Sequence, residues 1–182
     1  MKRKTAKDIL ADSFREIAQN KPVDKITIRE IAQNCGYSSA TFYRQFKDKY
    51  DLIVWDYTRD HREIMNRLEQ PDYDWRQLLL DNARYFDKHR DYFANLLLHT
   101  GGFESFIRNM TEIHFESLKS QVIKGSCAAS LDENTEMVIR LYCQGSICLT
   151  CEWIMGKYTA TPEELANIYE IALPLPLRQV LE

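Results

Sequence analysis

The chain has 182 residues, 45% hydrophobic and 28% charged, with six glycines, five prolines and a formal net charge of −3. That composition excludes a collagen-like or disordered chain, and the length suits a small headpiece followed by one larger domain with a substantial core. No apolar run is long enough to span a membrane, and the basic start at Lys2, Arg3 and Lys4 is followed by no apolar signal core, so a cytoplasmic protein is expected.

The first predicted helix runs from about Thr5 to Asn20, with Leu10, Phe14, Ile17 and Ala18 on its core face and Pro22 beyond its end. Lys2, Arg3, Lys4 and Lys7 lie at or before it, either as a solvated tail or as a basic arm reaching phosphate or the minor groove. Thr27 is placed to cap a second helix, and Glu30 three residues later completes the capping-box pattern. In that helix Ile28, Ile31, Ala32 and Cys35 share one face. Gly36 can take the left-handed conformation that stops it. Ser38 or Ser39 then caps a third helix, which buries Phe42 and Phe46 one turn apart.

Helix, tight turn, helix is the layout of a helix-turn-helix whose second helix enters the DNA major groove. At 100° per residue, Ala40 and Arg44 point away from the Phe42/Phe46 stripe, flanked by Thr41 and Tyr43. A small Ala40 permits close approach to the groove and contact with a thymine methyl. Thr41 and Tyr43 can donate to phosphates, Arg44 can reach phosphate or guanine, and Lys47 and Lys49 add charge at the helix end. Periodicity alone fits an ordinary helical hairpin with a solvated polar face equally well. Charge distribution favours DNA: residues 1–50 carry 11 Lys/Arg against 6 Asp/Glu, and residues 51–182 carry 13 against 21.

The run Thr27-Ile28-Arg29-Glu30-Ile31-Ala32, then Gly36, Thr41-Phe42-Tyr43, Phe46 and Lys49-Tyr50-Asp51-Leu52, resembles the DNA-binding domain of the TetR/AcrR family of transcriptional regulators. The resemblance covers roughly residues 5 to 55. Cys35, Tyr37 and Ala40 depart from the family's more usual Ala, Val and Gly or Pro, but keep small or apolar character. The resemblance implies DNA contacts from Thr27, Arg29, Ser38, Ser39, Ala40, Thr41, Tyr43, Arg44, Gln45 and Lys49, with Gln45 a source of operator specificity. It also implies a homodimer, with a head at 1–50 and a helical ligand-sensing and dimerisation domain at 51–182. The implied protein is a repressor whose operator binding is modulated by a small effector. Its fourth helix, about Lys49 to Glu69, would set the spacing of the two recognition helices, which must match major grooves about 34–36 Å apart.

The rest of the chain reads as helix throughout, so the fold class is all-α. Segments Asp74 to His89, Asp91 to His99, Phe103 to Val122 and Leu131 or Asp132 to Lys157 carry helical apolar spacing, broken by Gly101-Gly102 and by a small, polar loop over Lys124 to Ser130. Thr161 with Pro162 opens the last helix. Alternate prolines in Leu173-Pro174-Leu175-Pro176-Leu177 predict a kinked or extended segment. The helix ending at Lys157 is apolar on more than one face, and Gly145 and Ser146 allow close approach, so the last two helices are expected to form the dimer interface. A purely intramolecular core is the competing reading.

Gly145, Trp153 and Gly156 resemble the branch that includes dihydroxyacetone kinase operon activators, which implies sensing through a partner protein. The body's aromatics, with His99 and His114, fit either a packed core or an effector pocket, and no pocket residue is assigned. Cys143, Cys148 and Cys151 lack the second ligand pair of a zinc site and the βαβ context of a redox motif, so no metal and no cofactor are expected. No paired carboxylates, nucleophile motif or phosphate loop point to an enzyme. The alternative function is a partner-dependent coactivator or interaction protein of the same fold.

Overall fold

The computed structural model describes residues 4–100, 103–127 and 129–181, so Lys2, Arg3, Gly101 and Gly102 lie outside the described residues. Those described form α-helices and short 3-10 turns, with no strand among them. The chain divides into two compact units, one running through Asp60 and including Asp91–Phe106, the other holding His61–Arg90 and the chain from Ile107 onward. The sequence boundary at residue 50 therefore falls inside the first unit.

In the first unit, α1 (Ala6–Ala18) is opened by a reciprocal capping box between Thr5 and Asp8. A 3-10 turn (Val23–Lys25) leads to α2 (Ile28–Asn34), α3 (Ser39–Tyr43) and α4 (Lys49–Met65), the last of which continues past Asp60 into the second unit. α6 (Arg90–His99) joins this core from far along the chain. Leu10, Phe14, Ile31, Phe42, Leu52, Phe93 and Leu96 are buried together here. Phe14 meets Tyr92 edge-on at 6.3 Å, and Tyr57 meets Phe93 at 6.1 Å.

One charged cluster crosses this core. Asp56 on α4 is fully buried and accepts from Arg15 Nε at 2.6 Å, Arg59 Nη2 at 2.8 Å and the Tyr92 hydroxyl at 3.2 Å. Burial pushes its carboxyl up, and the two guanidiniums oppose that shift. Arg15 also reaches Asp60 at 2.5 Å, and Arg59 reaches Asp8 at 3.3 Å, so α1, α4 and α6 share one network.

The second unit is built from α5 (Trp75–Lys88), α7 (Phe103–Ser126) from Ile107, α8 (Glu133–Ile154), α9 (Pro162–Ala172) and α10 (Leu175–Leu181). α5 packs along α9, and Arg84 pairs with Glu163 at 2.9 Å on the exposed edge of that contact. α8 ends where Gly156 takes φ 80°, which lets the Gly156 and Lys157 amides close back on Trp153 and Glu152. Trp153 is buried, donates to the Ala160 carbonyl at 2.6 Å and lies under the Arg90 guanidinium.

Two segments differ from the sequence reading. α7 continues through Ser126, so the loop begins later than Lys124. After extended backbone at Leu173, α10 begins at once, because Pro176 falls in the first turn, where its missing N–H costs nothing. The Pro174 carbonyl then receives the Leu177 and Arg178 amides at 2.9 and 3.0 Å.

The late end of α7 matters for packing. A Cβ at Gly125 would lie 2.5 Å from Val180 Cγ1 and 2.9 Å from the Val180 carbonyl oxygen, so α10 docks only against a bare backbone. Gly125→Ala is therefore expected to destabilise the second unit by about 1–3 kcal/mol through overpacking. Thermal unfolding of wild type and variant checks this, and an unchanged midpoint would show that the close approach of Val180 to Gly125 does not limit stability.

Candidate nucleic-acid interface

The head presents α3 through a set of local bonds that the sequence makes legible. Thr27 caps α2 by accepting the Glu30 amide at 3.2 Å, while the Glu30 carboxylate accepts the Thr27 amide at 2.9 Å and its hydroxyl at 2.8 Å. The Lys21 ammonium at 2.5 Å, with Thr27, holds the Glu30 carboxyl down at about 2. Gly36 sits at φ 75° and makes the turn. Ser38, rather than Ser39, caps α3 by accepting the Thr41 amide at 3.2 Å. Phe42 and Phe46 are buried and 5.7 Å apart, which fixes the rotation of α3.

With that rotation set, Ala40, Tyr43 and Arg44 are exposed, and Ser39, Thr41 and Gln45 are half-buried. Tyr43 is 60% exposed, its ring edge resting on Phe42. The Thr41 hydroxyl lies 3.1 Å from Ser38 Oγ and accepts from Arg44 Nη2 at 3.0 Å, which orients the guanidinium along the helix. Arg29, Arg44 and Lys47 are exposed cations with no carboxylate partner among the described residues. By contrast Lys4 is paired with Asp12, Lys21 with Glu30 and Lys25 with Asp24. Lys7 lies over the Phe46 and Trp55 rings at 4.9 and 5.6 Å. Of the basic arm, then, Lys4 and Lys7 are already engaged within the head.

Lys49 requires a correction. Its ammonium donates to the carbonyls of Val23, Asp24 and Ile26 at 2.8, 3.0 and 2.9 Å. An ammonium has three N–H groups, and all three are used, so none is left for a DNA phosphate. Burial pulls its pKa down. A second organising residue escaped the sequence reading altogether. Asn95 on α6 donates to the Ala18 and Lys21 carbonyls at 2.7 and 2.9 Å and accepts the Val23 amide at 3.0 Å. A lone Asn among apolar residues carries no local signal for such a role.

Residues 9–54 match the model of bacterial regulatory proteins of the tetR family, and residues 73–174 match the transcriptional regulator C-terminal region. The chain belongs to the tetR family. This tetR-family chain is 28% identical over 116 residues to the HTH-type dhaKLM operon transcriptional activator DhaS of Lactococcus lactis subsp. lactis (strain IL1403). The match spans 63% of this chain and 59% of that protein. In fold it is similar to the dihydroxyacetone kinase operon activator DhaS, with TM-score 0.66, 20% identity and 96% of each chain covered. It is also similar to Thermus thermophilus FadR, a repressor solved with lauroyl-CoA, with TM-score 0.58, 20% identity and 97% and 95% of the two chains covered. Both solved relatives share the all-helical tetR-family fold. No helix among the described residues is long and apolar enough to cross a membrane.

The geometry separates Lys49 from the exposed cations. Lys49→Met leaves three carbonyls without their donor and is expected to destabilise the head by about 1–3 kcal/mol. Arg29→Ala, on the open surface, should stay within about 0.5 kcal/mol of wild type. Urea unfolding of both variants decides the point, and equal stabilities would contradict the structural role given to Lys49.

Proposed function

We propose that the protein is a homodimeric, sequence-specific DNA-binding transcriptional repressor, with α3 read into the major groove and operator affinity modulated by a small effector. The observation that carries this reading is the exposed surface of α3. Ala40, Tyr43 and Arg44 stand clear of a buried Phe42/Phe46 pair, in a head whose Arg29, Arg44 and Lys47 have no carboxylate partner among the described residues. Ser38, Ser39, Thr41 and Gln45 flank the same surface, and Thr27 stands at the start of α2. The tetR-family match, and a solved relative described as a transcriptional repressor, supply the regulatory context.

Dimerisation is supported by exposed apolar residues in the second unit. Met137 and Leu141 on α8, Ile168 and Ile171 on α9 and Leu175 on α10 are exposed, Leu141 by 73%. Nothing lies within 4 Å of where a Gly145 side chain would be, leaving room for a second helix. Full burial of a side chain such as Leu141 is worth about 1.5–3 kcal/mol, so covering these residues favours pairing. The fitting occupant is a second copy of the chain. The competing reading, an activator that works with a partner protein, is favoured by the description of the Lactococcus relative as an operon activator.

Two measurements test the reading. Three unpaired cations per head in a dimer give a slope of log affinity against log salt of about −5, which Arg44→Ala should reduce in magnitude by about 2 while weakening all DNA sequences alike. Titration of the chain against its own upstream DNA and a random duplex provides the slope. Binding that is weak and equal on both duplexes would favour the partner-dependent reading. Separately, Leu141→Glu is expected to shift the protein from dimer to monomer in sedimentation velocity while the helical content holds. A wild-type chain that already sediments as a monomer would remove the dimer.

A further inference from the structure

A cavity of about 60 Å³ lies inside the second unit, walled by α5, α7, α8 and α9 with His61 and Met65 at the end of α4. Its wall is predominantly apolar, and no Asp, Glu, Lys or Arg among the described residues lines it. Several of its polar groups are satisfied by the protein. Asn82 Nδ2 donates to the Leu78 carbonyl at 3.0 Å, and the Tyr142 hydroxyl donates to the Tyr169 carbonyl at 2.9 Å. Thr150 Oγ1 and the Tyr169 hydroxyl are 2.6 Å apart, and His61 Nε2 is 3.0 Å from Ser117 Oγ.

Trp75 differs from these groups. It is 95% buried in the cavity wall, yet its indole N–H has no acceptor among the described residues. A buried donor in that state is unfavourable until something accepts its proton. The wall also discriminates by charge. The His61 and His114 rings are 4.2 Å apart, and burial pulls both imidazoles down, His61 to about 4. Both are therefore neutral at neutral pH and offer no counter-charge to an acid. Burial pushes the Cys143 thiol up to about 12, so it offers none to an amine.

Size narrows the class further. A cavity of about 150 Å³ holds benzene, so the smaller space here suits roughly three to five non-hydrogen atoms, with the flexible Met65 taking up small differences. We propose that this cavity binds a small, neutral, mainly apolar molecule carrying one hydrogen-bond acceptor, a short ketone or ether, with the Trp75 indole N–H as the group that recognises it. This rests on the effector-responsive regulator reading and names the class of effector.

The test uses the full chain, labelled with 15N, and no DNA. The probes are butan-2-one, its hydrocarbon isostere 2-methylbut-1-ene, and propanoate. Butan-2-one should move the Trp75 indole resonance saturably, with millimolar affinity, and leave those of Trp55 and Trp153 in place. It should bind about fivefold more tightly than 2-methylbut-1-ene, the difference one hydrogen bond makes. Propanoate should not bind. Trp75→Phe, followed by ligand-detected saturation transfer, should bring ketone and hydrocarbon to equal affinity. No saturable displacement by butan-2-one would overturn the proposal and leave the cavity to water. Equal binding of the isosteres by wild type would overturn the role of the indole, whether or not the variant folds. Binding of propanoate would overturn neutrality. Operator binding is measured separately, so a failure there leaves these outcomes readable on their own.

Discussion

The connector between α1 and α2 is the constraint on which the head depends. From Ala18 to Ile26 the chain must turn sharply, and most of its backbone groups lie outside any long helix. Six of them are held by two side chains. Lys49 takes the carbonyls of Val23, Asp24 and Ile26, and Asn95 takes those of Ala18 and Lys21 together with the Val23 amide. Backbone groups at such a turn need partners as strictly as those in a helix. Here the partners come from α4 and α6, so the entry angle of α2, and with it the attitude of α3, is set by residues 23 to 77 positions away in sequence. This is why α6 belongs to the head despite lying beyond residue 90.

That arrangement also explains what the sequence discloses and what it hides. Capping is local: Thr5 with Asp8, Thr27 with Glu30 and Thr161 with Glu164 all bond within three residues, so spacing alone reveals them. Gly36 and the Phe42/Phe46 pair are legible for the same reason. Lys49 is not, because a lysine after a short helix looks like a phosphate contact until its three donors are counted against three carbonyls. Asn95 is hidden because side chain to backbone bonds between distant segments leave no period. The prolines near the C-terminus mislead in the opposite sense. Their spacing excludes a helix interior, but a new helix can begin on them, and α10 does.

Buried charge gives the head a second tie of a different kind. The Arg15, Asp56, Arg59 and Asp60 network joins α1 to α4, with Tyr92 adding α6. Such a network is weak evidence for stability, since desolvation offsets much of the attraction, but it is intolerant of alternatives. Apolar contacts between the same helices would permit sliding. Opposed carboxylates and guanidiniums at fixed distances do not, because any shift leaves a charge buried without its partner. The register of α1, α4 and α6 therefore draws on polar geometry as well as on the core around Phe14.

In the second unit one helix serves two surfaces. Ile139, Cys143, Ile147, Cys151 and Ile154 fall on the buried side of α8, whereas Met137, Leu141 and Cys148 are exposed on the other. Apolar residues on both sides of a helix require burial on both sides, and the monomer supplies only one. Tyr142, Cys143, Ser146, Ile147 and Thr150 on the same helix also line the cavity beside Trp75. A close-packed helix moves as a body rather than deforming residue by residue. A molecule filling the proposed site and a second copy covering Leu141 would therefore press on one element from opposite sides. On the proposed reading, their binding energies would be linked through the position of α8.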